Sequence, residues 1–227
     1  MKKIIAGIGG VTVLAVLGAV GFVAMQPGAI ELTRSVTVAG SPADVASFAH
    51  DLRKVNVWSP WRDVDPDLTN AYSETTTGVG AWYSWSGNDD AGEGKQTIVV
   101  AEEAKVVHEL HFLRPFEDKA TSTITWTGDG NTTTVTWAFH QEATFMTKAA
   151  NLVMDIEGML GGDYEKGLAD LKPLVEQRAT KRQAAEQAQK AADDAALAAD
   201  DALEAANDAL KAAQAAAEAA AAAAAGL

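Results

Sequence analysis

His108 and Tyr83 are the side chains of this sequence best placed for acid–base work, an imidazole that titrates near neutral pH and a phenol that donates or accepts. His111 stands three residues after His108. On a strand, an odd spacing sends the two rings to opposite faces, so they cannot chelate one ion together. His108 is read first as hydrogen-bonded in a polar corner, with a catalytic base as the sharper alternative; His111 is read as a surface residue. Cysteine is absent, which excludes thiol nucleophiles, thiolate metal sites and a disulfide framework. H-E-x-x-H, G-x-S-x-G and phosphate-loop patterns are missing, so neither metal nor cofactor is expected. Gly78-x-Gly80 lacks the third glycine and following helix of a dinucleotide fingerprint and reads as a bend between strands. Asp155, Glu157, Asp163 and Glu165 read as the solvated side of a helix. The 31 acidic against 18 basic side chains give a net charge of −13, which argues against a nucleic-acid partner.

The elements that position these groups occupy residues 30 to 178. Ile30, Leu32, Val36 and Val38 alternate with polar residues, a half-buried strand. Ser41-Pro42-Ala43-Asp44 supplies an N-cap, a first-turn proline and an early acid. A helix follows, with Val45, Phe48, Ala49 and Leu52 on one face, broken by Trp58-Ser59-Pro60-Trp61. Strands come next. Ala81, Tyr83 and Trp85 share one face, as do Gln96, Ile98 and Val100, then Val106, His108, Leu110 and Phe112, then Ile124 and Trp126, then Val135, Trp137 and Phe139. Gly128-Asp129-Gly130-Asn131 predicts a hairpin. Without helices between them, the strands form an antiparallel sheet with one apolar, aromatic face.

A long helix closes the domain, with Ala149, Leu152, Val153, Ile156, Met159, Leu160, Tyr164, Leu168 and Leu171 as its apolar stripe. Gly158, Gly161, Gly162 and Gly167 interrupt that stripe and imply close approach or a bend, and Pro173 is expected to kink or end the helix. The fold class is α+β, a curved sheet gripping its terminal helix. Tyr83, Trp85, Phe112, Trp126, Trp137 and Phe139 are assigned to the concave side, where they either form solid core or line a pocket. Tyr83, His108 and the indole of Trp126 are its candidate polar groups, and Trp58 and Trp61 stand at its mouth. Ile98, Leu110, Ile156, Leu160 and Tyr164 complete the expected wall.

Both ends are biased. Lys2 and Lys3 precede Ile4 to Met25, a run without charge that would span about 33 Å as a helix. Residues 1–29 are therefore read as an uncleaved single-pass anchor of a bacterial inner membrane, favoured over a removed signal. The lysines stay inside and the domain lies on the periplasmic or extracytoplasmic side. Residues 179–227 are alanine-rich and read as a single solvated helix or a disordered tail. Leu203 and Leu210, a heptad apart, leave coiled-coil self-association as the alternative.

The motifs Ser41-Pro42-Ala43-Asp44-Val45, Asp51-Leu52-Arg53 through Trp58-Ser59-Pro60-Trp61, and Asp65-Pro66-Asp67 resemble the opening of bacterial polyketide cyclase/dehydrase-like proteins. These belong to the START-like, helix-grip superfamily known as SRPBCC. Gly78-Val79-Gly80-Ala81, Tyr83-Ser84-Trp85-Ser86-Gly87-Asn88, Gly92-Glu93-Gly94-Lys95, Pro115-Phe116 and Gly161 through Leu171-Lys172 continue the likeness over roughly 33–178. The resemblance implies a helix-grip fold with a hydrophobic cavity between sheet and helix. Members of that family bind or transport lipids and other apolar molecules, and some catalyse ring closures. The leading expectation is a membrane-tethered module that binds a lipid or an aromatic metabolite. The alternatives are a cyclase, dehydratase or hydrolase using His108 or Tyr83, and a structural envelope protein whose tail is a spacer or oligomerisation helix.

Overall fold

A computed structural model describes residues 17–153 and 155–225. Its elements in chain order are β1 (Ala29–Val38), α1 (Pro42–Ala49), α2 (Leu52–Trp58), β2 (Thr69–Tyr72), β3 (Trp82–Ser86), β4 (Glu93–Glu102), β5 (Lys105–Arg114), β6 (Asp118–Asp129), β7 (Thr132–Glu142), α3 (Phe145–Asn151) and α4 (Ile156–Ala225). The strands form one antiparallel sheet in the order β1-β7-β6-β5-β4-β3-β2. The fold is thus the expected α+β helix-grip arrangement. β6 and β7 are joined at Gly130-Asn131, with Gly130 at φ +53°, a conformation that residues with a Cβ rarely adopt.

Among the described residues, those up to Ala179 form one compact unit and those from Thr180 onward form another. The core of the first unit lies between the concave face of the sheet, the two short helices and the early turns of α4. Val38, Val45, Leu52, Val106, Ile124, Val135, Leu168, Leu171 and Val175 are all buried there. Ser41 caps α1 as its sequence predicts. Its hydroxyl accepts the N–H of Asp44, and the Asp44 carboxylate in return takes the Ser41 N–H at 3.0 Å. The buried Asp44 also lies 3.6 Å from the guanidinium of Arg178, which ties α1 to α4.

Several expectations require correction. The helix predicted after Ser41 is two helices. Asp51 takes an extended conformation, bridges Thr77 across the chain and accepts the hydroxyl of Thr76 at 2.8 Å, while its other capping bond, to the N–H of Arg53, starts α2 afresh. β2, an edge strand, has no counterpart in the sequence reading. Register shifts between Ile98 and Val100, so Val100 stands opposite Val107 on the outer face and not with Ile98.

The closing helix does not begin at Ala149. α3 ends at Asn151, and the Asp155 side chain accepts the N–H of Gly158 to open α4. Leu152 and Val153, 43% and 84% exposed, are therefore outside the buried stripe. Pro173 does not stop α4. Leu171 and Val175, buried on either side of it, hold the helix against the domain through a residue that costs about 3 kcal/mol in a helix interior.

Gly167 fits the close approach that its sequence implied. A Cβ there would meet the Trp137 ring at 2.7 Å and Pro60 at 3.1 Å, so this glycine lets α4 sit directly on β7. In the second unit α4 continues to Ala225, with Leu197, Leu203 and Leu210 exposed. Among the described residues, no helix is long and apolar enough to cross a membrane. The expected anchor, 4–25, lies for the most part outside the described residues, which begin within it at Leu17.

Candidate functional site

A cavity of about 460 Å³ lies between the sheet and the start of α4, within the size range of small-molecule pockets. Alternation along the strands aims its wall residues. Tyr83 and Trp85 of β3, Leu110 and Phe112 of β5, and Phe139 of β7 come from the concave face. Ile156, Met159, Leu160 and Tyr164 come from successive turns of α4, and Trp61, Val64 and Leu68 from the segment after α2.

Aromatic rings run along one wall. Tyr72 stacks on Tyr83 at 5.7 Å, Tyr83 lies 5.7 Å from Trp85, and Trp85 meets Phe112 edge-on at 6.1 Å. At the other end Tyr164 stacks on Trp137 at 3.9 Å, with Trp61 edge-on to both. The indole donors of these rings are satisfied by the protein, leaving apolar faces for the cavity. Trp85 donates to the carbonyl of Ala91 at 3.1 Å, Trp61 to Asp163 at 3.1 Å and Trp137 to the hydroxyl of Ser122 at 2.8 Å.

The segment that brings Trp61 to the cavity is held by Asp65. Its carboxylate accepts the N–H of Asn88 at 2.6 Å and that of Asp67 at 2.9 Å. Both bonds fall within motifs that carried the family resemblance, and both serve architecture. Arg114 stands at the rim and donates to the carbonyl of Gly87 at 2.6 Å.

Of the residues nominated from sequence, Trp61, Tyr83, Trp85, Leu110, Phe112, Phe139, Ile156, Leu160 and Tyr164 line this cavity. Trp58, Ile98 and Trp126 do not. Trp58 is fully buried at the end of α2, edge-on to Trp137 at 5.0 Å. Ile98 is core on β4, and Trp126 is covered at its end of the sheet, where the His50 ring meets it edge-on at 5.1 Å. Trp126 therefore cannot orient a cavity ligand through its indole.

His108 and Trp137 border a smaller pocket of about 30 Å³, beneath the first. The ring of His108 is fully buried, and neither ring nitrogen has a hydrogen-bond partner, in contrast to the polar corner expected for it. His111 lies on the opposite face, as its spacing requires, with Glu117 at 3.1 Å.

Sequence reasoning missed the polar members of the wall. Asn70 belongs to the unpredicted β2, and Gln96, nearly buried on β4, lies next to Ile98 on the concave face. Asp163, expected on the solvated side of the helix, faces the cavity and accepts the Trp61 indole. Period-2 alternation already put Gln96 inward. For Asp163 the available signal is its spacing, seven, four and three residues after Ile156, Met159 and Leu160, which puts it on their face of the helix.

Burial shifts the titratable groups toward neutrality. Enclosure in the apolar wall, reinforced by the neighbouring Tyr72, pushes the Tyr83 phenol above its usual range. Burial pushes Tyr164 up as well, against a hydrogen bond with Ser122 that acts in the opposite direction. Burial, followed by the charge of His50, holds His108 down to about 4. At neutral pH the two phenols are protonated and the imidazole is uncharged. Among the described residues no cluster of three or more His, Asp or Glu side chains is arranged to hold a metal ion.

Residues 29–176 match the family described as polyketide cyclase/dehydrase and lipid transport. The chain belongs to that family. Solved structures with a similar fold include a Chromobacterium violaceum protein, 14% identical, with a TM-score of 0.46 over 66% of this chain and 99% of that one. A Mesorhizobium loti protein is 12% identical, with a TM-score of 0.48 over 65% and 98%. The major latex-like protein 151 of Panax ginseng is 16% identical, with a TM-score of 0.44 over 67% and 99%. No curated protein matches the sequence.

Proposed function

We propose that this protein is a membrane-tethered module that holds a hydrophobic small molecule, a lipid or an aromatic metabolite, between its sheet and α4. The observation that carries this reading is the cavity itself, about 460 Å³ of space walled largely by aromatic and aliphatic side chains, with the indole donors of Trp61 and Trp85 turned into the protein. Aromatic rings give such a ligand large contact area with little loss of side-chain entropy. Family membership supports the same class of ligand. An inert structural domain would have no need of this space. A cyclase-type reaction would draw on Tyr83, because His108 borders only the deeper pocket.

Leu110→Trp puts an indole into the space between the aromatic wall and α4. The expected outcome is a loss of about tenfold or more in affinity for a neutral fluorescent probe such as N-phenyl-naphthylamine, with the far-UV circular dichroism unchanged. Unaltered probe binding in this variant, or no probe binding by the delipidated wild-type protein, refutes the reading.

The tether rests on Lys2 and Lys3 ahead of the uncharged run Ile4 to Met25. It is supported by the exposed apolar side chains Leu17, Val20, Phe22 and Met25 in its described part. The domain then lies on the extracytoplasmic side of a bacterial inner membrane. Protease added to intact spheroplasts is expected to digest it, and protection until lysis would place it on the other side. The alanine-rich helix has no part in ligand binding on this reading. Removal of residues 180–227 is expected to leave probe affinity unchanged, and the mass in solution before and after shows whether the tail self-associates.

A further inference from the structure

The pocket beneath the main cavity is too small for a ring but large enough for a single oxygen-bearing group, at about 30 Å³. The two spaces adjoin, with Ser59, Trp61, Tyr83, Gln96, Leu110 and Tyr164 lining both. His108 forms part of its lining, fully buried, with Nδ1 and Nε2 both lacking a hydrogen-bond partner. Buried polar atoms are rarely left in this condition, since nothing replaces the water lost on burial. The Ser122 hydroxyl in the same pocket accepts the Trp137 indole at 2.8 Å and bonds with Tyr164, and it makes no hydrogen bond to the histidine.

We infer that this pocket receives the polar end of the ligand, and that the ligand class is a hydrophobic molecule with one uncharged hydroxyl or carbonyl group, inserted polar end first against His108. The inference rests on the cavity being a binding site. A neutral imidazole offers one donor and one acceptor, so it satisfies either a carbonyl or a hydroxyl. Burial, and the charge of His50 after it, hold this imidazole in its uncharged form at neutral pH. No lysine or arginine lines the lower pocket. A carboxylate delivered there would be desolvated without a counter-charge, which disfavours fatty acids as ligands in this orientation. Arg114 is at the rim of the upper cavity and donates to Gly87, so it does not serve the deep end.

The test uses the full-length protein in detergent, with naphthalene, 2-naphthol and 2-naphthoate competing against N-phenyl-naphthylamine. Partition into detergent is common to all variants and cancels when the naphthol-to-naphthalene affinity ratio is compared between proteins. That ratio is expected to fall about fivefold to tenfold in His108→Leu and in His108→Met, the size of one lost neutral hydrogen bond. Naphthoate is expected to compete more weakly than naphthol in the wild type. A ratio equal in wild type and variants, or preference for naphthoate, overturns the inference while leaving the binding module standing. Failure of all three compounds and of the probe to bind the wild type removes the binding module itself. Should neither variant fold, the nitrogen-15 resonances of the wild-type His108 ring decide. One of them is expected to shift on addition of 2-naphthol and not of naphthalene, and identical spectra with the two ligands refute the assignment.

Discussion

Trp58→Ala is expected to lower the free energy of unfolding by about 3–5 kcal/mol, the range for truncating a fully buried large aromatic side chain. Trp58 has no exposed surface and supports the Trp137 ring from beneath. The Trp137 ring in turn stacks on Tyr164, so truncation opens a void under the aromatic cluster that closes one end of the cavity. The Trp58 Nε1 atom is buried without a hydrogen-bond partner, so the loss is one of packing alone. Trp58→Phe retains most of that contact and carries no unsatisfied donor. It is expected to cost less than about 1.5 kcal/mol and to retain probe binding. Denaturant unfolding of the two variants beside the wild type checks both values, and a truncation cost below that of the phenylalanine variant would show that Trp58 is not core.

Acid is expected to destabilise the domain through His108. In the unfolded chain a histidine takes up its proton near pH 6.5; in the folded protein burial and His50 delay this to about 4. Between those values the unfolded state binds a proton that the folded state refuses. Stability from this source is complete above about pH 6.5 and falls as the pH drops, by about 3 kcal/mol by pH 4. His108→Gln removes the titrating group. Its stability between pH 7.5 and pH 4.5 is expected to fall less than that of the wild type, and superimposable pH profiles would show that the folded-state imidazole is free to charge. The groups around the ring in the small pocket, Gln96, Ser122, Tyr83 and Tyr164, do not ionise in that window, so His50 is the neighbour that matters.

These two residues illustrate how much of the site could be read without coordinates. Both are expected at the cavity, His108 because alternation turns it inward on β5 and Trp58 as a residue of the mouth that gates or plugs it. The inward direction was right for His108 because alternation on a strand is a property of the backbone itself. Whether an inward residue meets ligand space or core depends on what covers that part of the sheet. Trp126 and Tyr83 occupy the same face and have equivalent local patterns. Trp126 is met by His50 at the end of α1, whereas the region around Tyr83 is left open beneath α4. Nothing within a few residues of either distinguishes them.

Local signals suffice for the alternating strands, the Ser41 capping box, the Gly130-Asn131 hairpin, the antiparallel pairing that follows from strands without intervening helices, and the motifs of the family. The remaining outcomes depend on partners distant in the chain. Pairing with Thr76 and Thr77 splits the first helix at Asp51, and burial of Leu171 and Val175 carries α4 through Pro173. Under the start of α4, Trp137 and Phe139 of β7 meet Tyr164, while Tyr83, Trp85 and Phe112 of β3 and β5 pack among themselves and leave space, and no local pattern records a volume that remains unfilled.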